Sequence, residues 1–395
     1  NFGVDESYEL IIPSDGSPAL ISAQTVFGAY HALESLSQLV FFDTASEQFM
    51  LHGSPWSIED APAYPHRGLL IDSVRHFLPV SVVKRIIDSL TYSKFNALHW
   101  HLSDNEAEVL QSLANPRFWD SAYSPHERYT QRDMRELVEY ARQRGIRVVP
   151  EIDVPGHMKS WCTVYPEVCP DPACPEPIDP STEHVFDLLD RFFGEMTGRE
   201  RLKGLFFDDF FHLGGDEVDT HCWLQTPRIR QWMEERGMSA TDTYKYTVDR
   251  AHRLVFGFNR TAVNWEEVVT HIPQPVDKRA IIHVWLCSTP VQSIVEKGYD
   301  VIVSRRWYLD DLDNTWEVFY NNDITAGVSE QGKKHILGGE ACMWAESVDT
   351  SNWFNTVWPR AAAVGEHLWT PREKHDVDAA LNRIIRFRCL LNRRG

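Results

Sequence analysis

From residue 66 onward, short apolar runs alternate with stretches whose apolar residues recur at helical spacing. Residues 68–72, 97–102, 146–152, 210–213, 262–265, 280–285, 299–303 and 336–340 read as eight strands. Residues 80–93, 130–144 and 183–197 read as helices, with Gly145 as a stop signal. The strand at 210–213 is expected to extend an aromatic run that includes Phe206 and Phe207. Strands alternating with helical pieces predict an α/β fold, and eight of them predict a (β/α)8 barrel. The competing doubly wound sheet lacks its Gly-rich phosphate turn in the first strand–helix unit.

The first 62 residues follow another pattern. Residues 8–12 read as a strand, and residues 22–40 as a helix with Val26, Tyr30, Leu33, Leu36 and Leu39 on one face. Two elements are too few to close a core. The expectation is a partial α/β accessory domain over residues 1–62, which has lost upstream strands or leans on its neighbour. The Pro-containing link Ala61-Pro62-Ala63-Tyr64-Pro65 marks its end, and residues 63–395 form the barrel.

In such barrels chemistry gathers at the C-terminal strand ends. Here these read His99-Trp100-His101-Leu102-Ser103-Asp104, then Glu151-Ile152-Asp153-Val154-Pro155-Gly156-His157, then His212-Leu213-Gly214-Gly215-Asp216-Glu217. Trp265-Glu266-Glu267, Trp285, Trp307-Tyr308-Leu309-Asp310-Asp311 and Glu340-Ala341-Cys342-Met343-Trp344-Ala345-Glu346 follow. Each alone has an ordinary explanation in rim packing or a solvated loop. Their recurrence in register does not follow from packing.

Gly214 and Gly215 let the backbone leave strand geometry, so Asp216 and Glu217 can enter one pocket rather than opposite faces. Two close carboxylates repel, which raises one pKa and leaves the other group ionised, as a proton donor beside a fixed negative charge requires. Carboxylates of this kind with stacking tryptophans suit glycoside cleavage. His99, His101, Asp104, Asp153 and His157 could instead serve a metal-dependent hydrolase, but their spacing makes no compact ligand set, so neither metal nor other cofactor is expected. A non-catalytic sugar-binding protein on the same scaffold is the other alternative.

Composition narrows the setting. The chain has 395 residues, 43% hydrophobic, with 14 Trp and 20 Phe, enough for a large core. A net charge of -18 argues against nucleic-acid or anionic-membrane partners. No apolar run reaches the length of a transmembrane helix, about 18 residues, and Asn1-Phe2-Gly3 is not a signal peptide. Cys162, Cys169 and Cys174 crowd a Pro-rich loop, and Cys222 follows the paired acids. Their spacing fits a disulfide-stapled loop in an oxidising compartment better than zinc. Asn259-Arg260-Thr261 is an N-glycosylation sequon, consistent with a secretory route.

As a set, these residues resemble the β-N-acetylhexosaminidases of glycoside hydrolase family 20, of the eukaryotic lysosomal or secreted type. The matching stretches are Pro65-His66-Arg67-Gly68, Asp72-Ser73-Val74-Arg75-His76, His99-Trp100-His101-Leu102, the Asp153 to His157 turn, His212 to Val218, Trp307-Tyr308-Leu309, Gly338 to Trp344 and Trp358-Pro359-Arg360-Ala361. The resemblance implies a catalytic barrel behind a small α/β domain and an exo-acting, retaining hydrolase of terminal β-linked N-acetylglucosamine or N-acetylgalactosamine. In that mechanism, an exception to the two-carboxylate scheme, the sugar's own acetamido oxygen attacks and forms an oxazolinium. Glu217 would be the acid and then the base. Asp216 would hold the acetamido N–H, and Tyr308 its oxygen. Trp265, Trp285 and Trp344 would wall the acetamido group. Arg67 and Glu346 would bind the 3- and 4-hydroxyls and Asp310 the 6-hydroxyl. Asp104 and His157 would form a relay to Glu217, supported by Asp153 and His101. Arg67 lies at a strand start, so its role rests on the resemblance alone.

The resemblance also implies that Cys222 pairs within the Cys-rich loop, giving Cys174–Cys222 and Cys162–Cys169. Asn105-Glu106-Ala107-Glu108-Val109 departs from the family's Asp and Gln-Ser-Phe-type segment. Cys389 lacks the partner that relatives carry near the C-terminus, so a missing tail is expected. Relatives that dimerise make a homodimer the expected assembly.

Overall fold

The computed structural model describes residues 2–51, 53–198 and 204–395; Asn1 lies outside them. The chain begins with five strands, β1 (Tyr8–Ile12), β2 (Leu20–Ala23), β3 (Val40–Asp43), β4 (Gln48–Leu51) and β5 (Trp56–Asp60). They form an antiparallel sheet of order β2-β1-β5 and a separate β3-β4 hairpin. Only β1 is legible from periodicity, because Tyr8, Leu10 and Ile12 alternate into the core while β2, β3 and β4 are largely exposed. The helix Val26–Leu39 starts four residues later than the sequence suggests. Thr25 caps it by accepting from Gly28 N at 3.3 Å. The small core of Tyr8, Leu10, Ile12 and Ala32 is completed by Trp369, from the helix Arg360–Trp369 of the barrel.

Eight parallel strands then close a barrel: β6 (His66–Asp72), β7 (Ala97–His101), β8 (Arg147–Glu151), β9 (Phe210–His212), β10 (Thr261–Trp265), β11 (Ile281–Val284), β12 (Val301–Val303) and β13 (Ile336–Met343). β13 returns to β6, with Met343 opposite Ile71. The helices Val80–Tyr92 and Glu183–Thr197 lie close to their predicted limits. Gln131–Arg142 starts at a capping box between Thr130 and Asp133. β9 is shorter than the aromatic run suggests: Phe206 is buried outside it, and Phe207 is 43% exposed.

Alternation along the strands sends one set of side chains into the barrel and the other against the helices. The interior stacks in layers. Val149, Phe210, Val263, Ile281 and Ile302 plug the N-terminal end. Above them His66, His99, His212, His283, Glu151 and Glu340 form a buried polar layer. Leu70, Trp265 and Cys342 lie higher, with Trp285, Tyr308 and Trp344 packed on them at the C-terminal mouth. Gly68 makes room for the polar layer: a Cβ there would stand 2.5 Å from Glu340 Cγ.

Two disulfides brace the loops at this mouth. Cys162 pairs with Cys169, and Cys174 with Cys222. Cys287, Cys342 and Cys389 are free. Among the described residues no helix is long and apolar enough to cross a membrane.

Candidate active site

Left-handed backbone at Gly214 (φ 57°), Gly215 (φ 93°) and Glu217 (φ 49°) turns the chain sharply where β9 ends. A Cβ at Gly214 would lie 2.1 Å from the Asp153 carboxyl, so this position requires glycine. Asp153 holds the turn by accepting from Gly215 N at 2.8 Å, and the Tyr244 hydroxyl donates to Gly215 O. Asp216 and Glu217 therefore face the same imidazole: His157 Nε2 lies 3.7 Å from Asp216 Oδ2 and 3.6 Å from Glu217 Oε2. Asp216 is half-buried, whereas the Glu217 side chain is 61% exposed.

Behind His157 runs a line of alternating charge. His157 Nδ1 is 3.1 Å from Asp104 Oδ1, and Asp104 Oδ2 is 2.9 Å from His101 Nε2. His101 Nδ1 is 2.8 Å from Glu151 Oε2. His99 Nε2 stands 3.2 Å from the same oxygen, and its Nδ1 2.8 Å from Glu340 Oε2. Glu340 Oε1 is 2.6 Å from His66 Nε2. Burial opposes charge on His99 and His101. The carboxylates on either side outweigh it and push their pKa up to about 9 and about 10. Burial also opposes charge on Glu151, Glu340 and Asp104, and neighbouring imidazoles hold all three well below the usual carboxylate range. His157 is raised for the same reason as His101, against its own burial, by Asp104 and the paired acids.

The carboxyl that rises is not one of the adjacent pair. Burial, reinforced by Asp216, raises Asp153 well above the carboxylate range. Glu217 is lowered, first by contact with His157 and against partial burial. The raised carboxyl expected within the Asp216–Glu217 pair is thus found at Asp153, fully buried beneath them.

An aromatic wall stands over these acids. Trp265 and Trp344 have ring centroids 6.1 Å apart; Trp285 and Tyr308 are 5.9 Å apart at 30°. Glu151 Oε1 accepts from Trp265 Nε1 at 2.9 Å, and Glu267 Oε2 from Trp285 Nε1 at 3.1 Å. Burial, with Asp216 nearby, pushes Glu267 up to about 8. The segment carrying Tyr308 is tied to β13 by Leu309 N donating to Cys342 O at 2.7 Å and Cys342 N to Trp307 O at 2.9 Å. Burial pushes the Tyr308 hydroxyl far up, so it is a neutral donor. At the rim, burial and then Glu346 raise Asp310 to about 6.

Arg67 does not belong to this site. It lies fully buried on the second residue of β6, at the opposite end of the barrel and on the outward face. Its Nη2 and Nη1 donate to Glu6 at 2.7 and 3.0 Å, and its Nε to Lys94 O at 2.8 Å. The arginine at the mouth is Arg75, in the loop after β6. It lies 2.6 Å from Asp104, 3.2 Å from Asp72 and 3.9 Å from Glu346, over the Trp344 ring at 5.1 Å. Arg75 stands within one of the matching stretches, in a loop that follows a strand end. Glu151 and Glu267 were also visible at strand ends, without a signal for their roles.

Among the described residues, two groups bring ligand atoms together: His99, His212 and His283, and Asp153, His157 and Asp216. In the first, both nitrogens of His99 already face carboxylates, and Gly214 N donates to His212 Nδ1 at 3.0 Å. In the second, His157 Nδ1 already faces Asp104 and its Nε2 faces Asp216 and Glu217. Asn259 is exposed at the turn after the helix Ala240–Gly257.

Residues 64–372 match the family described as glycosyl hydrolase family 20, catalytic domain, and residues 1–39 match one described as beta-acetyl hexosaminidase like. Beta-hexosaminidase 3 of Arabidopsis thaliana is 41% identical over 401 residues, covering 100% of this chain and 74% of the plant protein. The human beta-hexosaminidase subunit beta is 35% identical over 412 residues, covering 100% of this chain and 72% of its own length. Among solved structures, a Flavobacterium johnsoniae chitobiase is 31% identical with a TM-score of 0.89; the match covers 100% of this chain and 60% of that one. A Vibrio harveyi exo beta-N-acetylglucosaminidase, solved with N-acetylglucosamine, is 26% identical with a TM-score of 0.88, over 98% of this chain and 66% of that one.

Proposed function

Because the chain belongs to glycosyl hydrolase family 20, we propose that it is an exo-acting β-N-acetylhexosaminidase working by a substrate-assisted, retaining route. The observation that carries the reading is the placement of Asp216 and Glu217 at one nitrogen of a single imidazole, beside a Trp and Tyr wall. In the proposed reaction the acetamido oxygen forms a bond to the anomeric carbon as the glycosidic bond breaks. Glu217 gives its proton to the leaving oxygen. Asp216 accepts a hydrogen bond from the acetamido N–H and balances the oxazolinium charge, while Tyr308 donates to the acetamido oxygen. Trp265, Trp285 and Trp344 hold the group in the attacking conformer and exclude water. Water then attacks the anomeric carbon from the face the leaving group vacated, the bond to the acetamido oxygen breaks to restore the acetamide, and Glu217 takes the water's proton.

Glu217 must be protonated to start this cycle, yet contact with His157 lowers its pKa. Its exposure reconciles the two. An aglycone lying over the exposed carboxyl removes water from it, and desolvation favours the neutral acid. Arg75 and Glu346 would hold the 3- and 4-hydroxyls, with Arg75 in the place first given to Arg67, and Asp310 would hold the 6-hydroxyl.

The two disulfides and the exposed sequon at Asn259 support a secretory route, lysosomal or extracellular. The human and Dictyostelium discoideum relatives are named as subunits, which supports a homodimer. The test is turnover of a nitrophenyl N-acetyl-β-glucosaminide beside the matching glucoside without the acetamido group. The N-acetylated compound should be cleaved and the plain glucoside should not. Glu217→Gln should lose about 10²–10⁴-fold in rate. Equal cleavage of both glycosides would remove the substrate's amide from the mechanism.

A further inference from the structure

The reaction above leaves a fully buried carboxylate of the barrel without a task. Glu151 ends β8 with no exposed surface. Its two oxygens serve two different parts of the site. Oε2 is 2.8 Å from His101 Nδ1 and 3.2 Å from His99 Nε2, on the line that leads through Asp104 and His157 to Glu217. Oε1 accepts from the indole N–H of Trp265 at 2.9 Å and stands 3.0 Å from His212 Nδ1. The wall of the aromatic pocket and the relay to the acid therefore hang on one carboxylate.

We propose that Glu151 is a positioning residue that couples the proton relay of Glu217 to the orientation of Trp265 in the acetamido pocket. The inference rests on the hexosaminidase reading above. A buried carboxylate is kept only where its partners offset a desolvation cost of several kcal/mol. Glu151 has partners on β7, β9 and β10, with Asp153 and Cys342 also within reach of its charge. On one side it holds His101 as a cation, so that His101 Nε2–H donates to Asp104 and leaves the other Asp104 oxygen for His157. On the other side the hydrogen bond fixes the angle of the Trp265 ring. A sugar that presses on Trp265 is then felt at His101 through a rigid, fully buried link.

An amide cannot hold both sides. Glutamine has one acceptor oxygen, so Glu151→Gln either leaves Trp265 Nε1 unpaired or turns an N–H donor toward His101 Nδ1. In the second case His101 becomes neutral, and the positive charge next to Asp104 is lost. Two readouts should move together. The alkaline limb of kcat/KM should shift to higher pH, because Glu217 loses a cation behind its relay. Affinity for N-acetylglucosamine thiazoline, a mimic of the cyclic intermediate, should fall about tenfold or more, the scale of one lost charge-assisted bond. Trp265→Phe keeps an aromatic ring in the wall and removes the N–H together with the five-membered half of the indole. It should weaken thiazoline binding and leave the pH limb in place. Combined with Glu151→Gln, it should add less than its own separate effect.

A folded Glu151→Gln enzyme with the wild-type pH limb and wild-type thiazoline affinity would overturn the coupling. So would full additivity of the two substitutions. If Glu151→Gln does not fold, the wild-type protein answers instead. Its His101 should show both ring N–H protons by NMR at neutral pH, and a neutral His101 there overturns the proposal. A wild-type enzyme that fails on the N-acetylated glycoside defeats the underlying reading, whereas a working enzyme with an indifferent Glu151 defeats only this one.

Discussion

Arg75 Nη2 lies 2.6 Å from Asp104 Oδ2, so the arginine at the pocket rim shares its carboxylate with the relay behind Glu217. The bond fixes Arg75 over the Trp344 ring, with Nη1 donating to Asp72, Nε toward Glu106 and Nη2 also within 3.9 Å of Glu346. Arg67, which the family pattern suggested for the sugar hydroxyls, is bound instead to Glu6 beneath the barrel. The two arginines should fail differently. Arg75→Ala should lower kcat/KM by about tenfold or more through lost charge-assisted bonds to the sugar, and it should also lower the melting temperature, because Asp72 and Asp104 are buried and lose a cation. Arg67→Ala removes one side of a buried ion pair and leaves Glu6 only His31 and Asn96 as partners, which should cost about 3–5 kcal/mol of stability, with kcat/KM near wild type in the protein that remains folded. Steady-state kinetics and thermal melts of both variants separate these outcomes. A stable Arg67→Ala enzyme with a raised KM would restore the original assignment.

Glu108 predicts a stability that depends on pH. It occupies the departure from the family pattern after Asp104 and is fully buried. Its Oε1 accepts from Leu110 N at 2.9 Å and its Oε2 from Trp161 Nε1 at 3.0 Å. Burial outweighs these bonds and raises its pKa to about 8. The folded state therefore holds this proton more tightly than the unfolded chain, whose value is near 4.5. The contribution to stability is complete below that value and is lost as pH rises toward 8. Melting temperature should fall across this window. Glu108→Gln cannot ionise and should flatten the fall, while melting lower at acidic pH because one of the two donors loses its acceptor. Parallel pH dependences in wild type and variant would show that Glu108 is ionised throughout.

The Cys174–Cys222 bridge closes 48 residues and joins the loop after β8 to the short helix His221–Gln225 just beyond Glu217. Cys162–Cys169 closes only 7. Loop-closure entropy gives about 4 kcal/mol for the first and about 2 kcal/mol for the second. A Cys174→Ser, Cys222→Ser double variant should therefore melt lower than a Cys162→Ser, Cys169→Ser one. Only the 174–222 variant should lose kcat, because only that bridge anchors the segment carrying the acid. Calorimetry with initial rates on both pairs checks the order.

How much of this could be read beforehand depended on the element. β6, β7, β8, β10, β11 and β13 are buried on both faces, so their apolar runs stood out and the polar residues ending them were visible. β9 was overextended because Phe206, buried against other elements, looks the same in sequence as a strand residue. The exposed strands β2, β3 and β4 carried too little pattern to register. At the site, the residue types and their strand ends were legible. The charge states were not: that His101 is raised and that Asp153 is raised depend on partners from several strands. Arg67 was misplaced for a different reason, since a motif match names residues without saying which end of the strand they occupy. Its place at the start of β6, on the outward parity, is what excludes it.

Asp310 links substrate affinity to the acidity of its compartment. It is half-buried at the rim; burial, then Glu346 and Asp311, raises its pKa to about 6, against the nearby Arg360. In its proposed role it accepts a hydrogen bond from the sugar 6-hydroxyl, and an ionised acceptor makes the stronger bond. Above pH 6 the carboxylate is present and KM should be low; as pH falls through 6 it protonates and KM should rise. Bound sugar covers the carboxyl further, so the midpoint in the complex reflects both desolvation and the new bond. Asp310→Asn gives a neutral acceptor at every pH. Its KM should be higher than wild type above pH 6 and nearly level with it below, with the step abolished. An N-acetylated substrate lacking the 6-hydroxyl should abolish the same step in the wild-type enzyme. If the step survives in either case, another group controls binding in this range, and Asp310 has no contact with the 6-hydroxyl.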